Sequence, residues 1–159
     1  MSWDTIINTG SASWKLVEIN VPSADISTSS CNGLPDVSDW ENISAPLGTG
    51  AASSSLKRAD SRGNVVIDVK WLLEFEYGSR YKGGGAFIRT CWITIPTCNV
   101  QTGFDVQMGV TVENPQRKGS ATAPIALLLI HIDASVTSKA GSDQRPWLVA
   151  IRGDGAMQI

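Results

Sequence analysis

His131 is the one histidine of the chain, and Asp133 follows two residues later. On an extended strand that spacing puts both side chains on one face, as a metal pair or an acid–base pair would need. Metal centres draw three or more protein ligands, and no second histidine exists to join them. The plainer reading is a half-buried polar pair near a strand end. Serines are plentiful enough for a Ser/His/Asp nucleophile with His131 as base, but no Gly-x-Ser-x-Gly elbow occurs. Asp68, Glu74 and Glu76 carry the chemistry of a glycosidase carboxylate pair. They alternate with apolar residues, however, and read as the wet face of a strand.

Cys31, Cys91 and Cys98 are odd in number and lack metal-ligand spacing. They read as reduced thiols, with a Cys91–Cys98 disulfide as the alternative. Gly83-Gly84-Gly85 is followed by no Lys-Ser/Thr and no helix start, so it is a turn and not a phosphate loop. Arg152-Gly153-Asp154 matches the adhesion tripeptide that integrins bind, and it also reads as turn residues after a strand. Asn42-Ile43-Ser44 is a glycosylation sequon, but the first residues show neither the basic start nor the apolar run of a secretion signal. No catalytic, metal or cofactor site assembles from these residues. The expectation is a non-enzyme.

Two small basic clusters remain, Lys57, Arg58 and Arg62, and Arg117 with Lys118. Their plain reading is solvated loops. If the chain touches RNA weakly, these residues are the candidates, with Arg80 and Lys82 behind them. The balance of 13 basic and 15 acidic residues leaves no broad phosphate-neutralising footprint. Hydrophobic residues make up 42% of the 159, enough for one continuous core and a single domain over 1–159. No apolar run reaches the roughly 20 residues of a membrane span.

The elements that must position all this are strands. Val65, Ile67, Val69, Trp71, Leu73, Phe75 and Tyr77 fall on one face, and Asp68, Lys70, Glu74 and Glu76 on the other. Gly78–Gly85 turns the chain, and Ala86–Ile95 returns as the hairpin partner until Pro96 stops it. Phe104–Val112 alternates in the same way. Ile125–Ile132 is apolar on both faces, which predicts a central strand covered on both sides. Trp147–Arg152 is a short last strand. Trp14–Val21 is an early one whose apolar phase shifts between Leu16 and Val17, as at a bulge. Long loops are expected at Pro22–Arg62, Pro115–Pro124 and Thr137–Arg145, the first holding one short strand and a poor helix near Gly50–Lys57. The fold class is all-β: an antiparallel two-sheet sandwich of jelly-roll type, with seven or eight strands and at most one short helix.

Leu56–Val69, running through Gly63 into a long strand, then the glycine-rich turn and Gly85-Ala86-Phe87-Ile88, resembles the middle of a jelly-roll coat protein. The similarity is to the picornavirus-like plant viruses, the comovirus, nepovirus and cheravirus group. Trp14–Val21, Phe104–Glu113, Ile125–Val136 and Trp147–Arg152 follow in a similar order. The chain is shorter than that family's coats, which implies trimmed loops. It has no Lys or Arg before Lys15. That suits the branch without a basic genome-binding arm and disfavours tailed coats.

The resemblance implies a structural capsid subunit that assembles with other coat subunits into an icosahedral shell around RNA. Its implied locations are the virion and, during assembly, the host cytoplasm, with no membrane partner. Six tryptophans outnumber three Phe and two Tyr together. Trp3, Trp40 and Trp147 lie at the margins of strong strands and are expected as subunit-interface anchors. Trp14, Trp71 and Trp92 are expected in the core. The competing expectation is a non-catalytic carbohydrate- or receptor-binding sandwich, such as a phage-fibre domain or a secreted lectin-like domain.

Overall fold

The computed structural model describes residues 3–20 and 23–159. In chain order its strands are β1 (Ile6–Ile7), β2 (Ser13–Asn20), β3 (Ser23–Ile26), β4 (Ser30–Pro35), β5 (Gly48–Ala59) and β6 (Val65–Tyr81). They continue as β7 (Gly84–Val100), β8 (Asp105–Val112), β9 (Gln116–Ser120), β10 (Ala123–Ser138), β11 (Gly141–Arg152) and β12 (Met157–Gln158). A 3-10 turn at Trp40–Asn42 is the one helical piece among the described residues. The all-β expectation holds.

The strands form one curled, open sheet, with a path β1-β4-β7-β10-β8-β2-β3. From β7 hang β6 and then β5, and from β10 hang β9, β11 and β12. Every ladder is antiparallel except a single parallel contact, Ile125↔Ala86, that joins β10 to β7. The curl brings β6 against β11. Trp71 meets Trp147 edge-on at 5.9 Å, and Trp147 Nε1 donates to Ser54 Oγ on β5 at 3.1 Å. Inward residues of both halves, from Leu56, Leu73 and Phe75 to Ile130, Val149 and Ile151, join one continuous buried cluster.

The alternation of Val65–Tyr77 is observed from Ile67 to Phe75; at its ends Val65 is 48% exposed and Val66 buried beside a register shift at Arg58/Ala59, and Tyr77 is half-buried. Ala86–Ile95 pairs with it as expected, but the hairpin turn is tighter and the strands longer. Tyr81 pairs with Gly84 around Lys82 and Gly83, both at positive φ (50° and 79°), the pattern of a two-residue turn. Pro96 does not stop β7. The register with β6 shifts between Lys70 and Leu72, and the missing N–H falls in that bulge. The phase shift in β2 is a bulge: its register against β8 slips between Lys15 and Val17. Val21 and Pro22, the ends of two expected segments, lie outside the described residues.

Among the described residues twelve strands replace the expected seven or eight, and an open curled sheet replaces a plain two-sheet sandwich. The excess sits in the segments read as loops. Gly48–Ala59 is a strand, not a poor helix. Its glycines stand opposite aromatic residues of β6, Gly48 across from Tyr77 and Gly50 across from Phe75. A Cβ on Gly50 would come within 2.4 Å of the Phe75 ring, so the ring occupies the space a side chain would take. Thr137–Arg145 is the tip of the β10–β11 hairpin, paired right up to Ser138↔Gly141. Gln116–Ser120 pairs with Ala123–Ala126. The central strand is covered fully on one side and in part on the other, where Leu127 is buried. Ala126, Leu128, Ile130 and Ile132 are buried, whereas Leu129 and His131 on the other face are half-buried.

The tryptophans divide differently from expectation. Trp71 is in the core and Trp14 packs against it. Trp147 is 7% exposed, because β11 starts six residues earlier than expected and carries the ring inward over β6. Trp92 is not core: it alternates with buried Cys91 and Ile93 and so takes the half-buried outer face of β7. A Cys91–Cys98 disulfide is excluded by register. Cys91 pairs with Phe75 and Cys98 with Val69, positions six residues apart on β6 and so about 20 Å away, against a limit of about 7 Å for bridged Cα atoms.

Candidate functional site

The residues that the fold gathers most tightly lie at the tip of the β6–β7 hairpin. The tight turn projects Tyr81 and Lys82 from the end of a rigid ladder, and the segment from Asp39 to Leu47 is laced along its edge. Ile43 bridges to Tyr81, Ser44 N donates to Arg80 O at 2.8 Å, and Leu47 N donates to Tyr77 O at 2.9 Å. The Tyr81 hydroxyl donates into the Asp39 carboxylate, 2.7 and 2.8 Å from its two oxygens. Asn42 Nδ2 donates to the same group at 2.9 Å, and Lys82 Nζ lies 3.5 Å away. The Lys82 ammonium also stands over the Tyr81 ring, 5.2 Å from its centroid.

Trp3 closes this cluster. Its ring centroid is 6.2 Å from that of Tyr81, and a Cβ on Gly84 would come 3.2 Å from its edge. Between Trp3, Tyr81, Lys82, Asp39 and Thr122 lies an open cleft of about 620 Å³. Trp40 begins the 3-10 turn beside it and donates its indole N–H to Val37 O. Trp40 is 42% exposed and Leu47 74% exposed. The end of the molecule is therefore fixed in shape while showing large apolar side chains to solvent. Two of the three expected anchors, Trp3 and Trp40, belong to it. Trp147 is inside the core, where a neighbouring subunit cannot reach it.

The electrostatics of the cluster follow from its hydrogen bonds. Donation from Tyr81, then from Asn42, holds the Asp39 carboxyl below its ordinary range, and the same bond pushes the Tyr81 hydroxyl up. Tyr81 and Asp39 together raise the Lys82 ammonium. Two other carboxylates are depressed, Asp60 by the backbone N–H groups of Asn64 and Arg62, and Asp143 by the Arg58 guanidinium. A carboxylate whose folded pKa lies below its unfolded value of about 3.9 stabilises the fold above that value. The contribution is lost as pH falls through the depressed values. The share of stability that these carboxylates supply should therefore be present above about pH 4 and be lost in thermal melts below it. In carboxyl NMR titrations Tyr81→Phe should return Asp39 towards its ordinary range and leave Asp143 where it is. An unmoved Asp39 would refute the assignment.

The basic candidates are not brought together. Arg58 is ion-paired with Asp143, opposite Val136, and Arg117 with Asp4 and opposite Ala126. Ten residues of β10 separate those positions, roughly 33 Å at strand rise. Lys57, Arg62 and Lys118 are exposed at the same two distant places. His131 Nε2 contacts Glu113 Oε2 at 2.6 Å rather than Asp133, and both are half-exposed on the outer face. Among the described residues no group of three His, Cys, Asp or Glu could hold a metal. In the adhesion-like tripeptide, Arg152 Nη2 is bound to Asp154 Oδ2 at 2.7 Å, so its two charges serve each other.

The reading from sequence missed Asp39, Asn42 and Tyr81. The one local signal was Tyr81-Lys82-Gly83-Gly84, a residue pattern that permits a two-residue turn. No protein-family model matches the chain, and neither a curated protein nor a solved structure does. Fold and site together define an all-β chain with a rigid, aromatic-rich end.

Proposed function

We propose that the chain is a structural subunit of a viral shell, of the kind formed by the coat proteins of picornavirus-like plant viruses. It has no catalytic role. The observation that carries this reading is the ordered end: Trp3, Trp40 and Leu47 lie around the end of the β6–β7 hairpin, where Ile43, Ser44 and Leu47 pair with its backbone and Tyr81, Asn42 and Lys82 surround the Asp39 carboxylate. Side chains ordered in advance lose little entropy on docking, and aromatic anchors of this kind dominate interface energies. The facing halves of the curled sheet supply the sandwich-like scaffold, and the meander β5–β6–β7 departs from two Greek keys. The reading thus rests on the assembling end more than on a jelly-roll topology. The partners are other coat subunits. Packaged RNA touches the chain weakly and non-specifically, through Lys57, Arg62 and Lys118 before the ion-paired Arg58 and Arg117. The locations are the virion and, during assembly, the host cytoplasm. Sedimentation velocity of the purified chain tests assembly: large, uniform particles support it, and a monomer at every concentration refutes it.

A second reading, a carbohydrate- or receptor-binding module, is favoured by the cleft itself. It sets the rings of Trp3 and Tyr81 beside a carboxylate and an ammonium, groups that suit stacking on and hydrogen bonding to a sugar. Saturable quenching of tryptophan emission by a saccharide, abolished in Tyr81→Ala, combined with a small closed oligomer, would favour the module over the coat.

A further inference from the structure

Cys31 on β4 stands directly opposite Cys91 on β7 in antiparallel register. Both thiols are free, at 1% and 0% exposure. Opposed residues of an antiparallel pair have Cα atoms roughly 4.5–5.5 Å apart, inside the roughly 4.4–6.8 Å that a disulfide spans. The Cys31 thiol is near enough to push the Cys91 thiol up, which fits two side chains lying side by side between the strands. Cys98 is too far along β7 to compete.

We propose that Cys31 and Cys91 form a disulfide site, closed by a small-molecule disulfide oxidant such as oxidised glutathione, and that the bond clamps β4 to β7. One cysteine thiolate attacks a sulfur of the oxidant and expels one thiolate, leaving a mixed disulfide. The second cysteine thiolate attacks the protein sulfur of that bond and expels the other. The two protons lost by the cysteines end on the two released thiols, so the protein is oxidised by two electrons and the reagent reduced by two.

The neighbouring Cys31 thiol, and after it burial, push the Cys91 thiol up, which disfavours the attacking thiolate in the closed fold. Access comes through β4. β1 holds only Leu34 and Pro35, and the loop 8–11 covers the edge at Cys31, with Ser11 N donating to Ser30 O and Asn8 and Thr9 bonded to Asn32, so that loop must lift before the strand can peel open. Oxidation is therefore slow in buffer and accelerates in mild denaturant. The bond closes the chain from Cys31 to Cys91 around all of β5 and β6, a long loop whose freedom is removed from the unfolded state.

The full chain is incubated with oxidised glutathione, then mapped by mass spectrometry of proteolytic peptides without reduction. The expected product links the Cys31 and Cys91 peptides, has lost two hydrogens, and keeps Cys98 titratable. Its Tm should rise by roughly 10 °C and return on adding dithiothreitol. The Cys98→Ser chain should form the same link, which separates this site from chance pairing with the half-exposed thiol. Three free thiols after treatment, a stable glutathione adduct without a cross-link, or a link through Cys98 would each overturn the proposal.

Discussion

Trp71→Ala should lower the stability of the isolated chain by about 3–5 kcal/mol, a fall of roughly 10 °C or more in Tm. The side chain is fully buried at the centre of β6 and packs edge-on against Trp147. Truncation leaves a void that neighbours on two strands cannot fill without breaking their own ladders. Its indole N–H separates packing from hydrogen bonding, because it has no partner although it is buried. Trp71→Phe should therefore cost much less than the alanine variant, since the smaller ring also removes an unpaired donor. Trp147→Phe should behave differently. Its indole N–H is bonded to Ser54, so the exchange also costs that bond, about 1 kcal/mol. Melting the variants side by side tests the face-to-face contact of the two halves. Equal, small losses for Trp71→Ala and a surface control would show that the halves do not meet there.

Trp40→Ala should leave the monomer folded and raise the concentration needed for assembly by roughly 30-fold or more, as loss of an interface anchor worth about 2 kcal/mol implies. Trp40 is outside the buried cluster and makes its polar contact within its own turn, to Val37. Leu47→Asp provides a second variant at the same end, where a 74% exposed side chain can change with little strain on the fold. Its carboxylate would be desolvated in a contact and should block assembly as well. Light scattering against concentration reads both. Variants that assemble like the parent chain, at unchanged Tm, would show that this end is not an interface.

Segments whose burial was one-sided and regular were legible in the sequence. The face of Val65–Tyr77, its hairpin partner and the Leu16 bulge each follow from a period-two pattern that the pleat enforces. Segments whose burial depends on a neighbour were not. The glycines of β5 look like loop residues until Phe75 and Tyr77 are placed across from them. The polar outer half of β11, Gly141–Pro146, looks like a loop because it is exposed on both faces and is held by backbone pairing to β10. Trp147 was misplaced for that reason. Trp3 and Trp40 lie at the margins of the strong strands in the sequence, and in the fold Trp40 is exposed while Trp3 packs against the core from outside it. What they surround was invisible, because Asp39 and Tyr81 are 42 residues apart and meet only through register.

Negative-stain electron microscopy of the purified chain, with and without nuclease treatment, puts the proposed role to its most direct test. The coat reading predicts closed shells of uniform diameter, and Trp40→Ala material without them at the same concentration. A field of monomers or small discrete oligomers, unchanged by concentration or by added RNA, would contradict it.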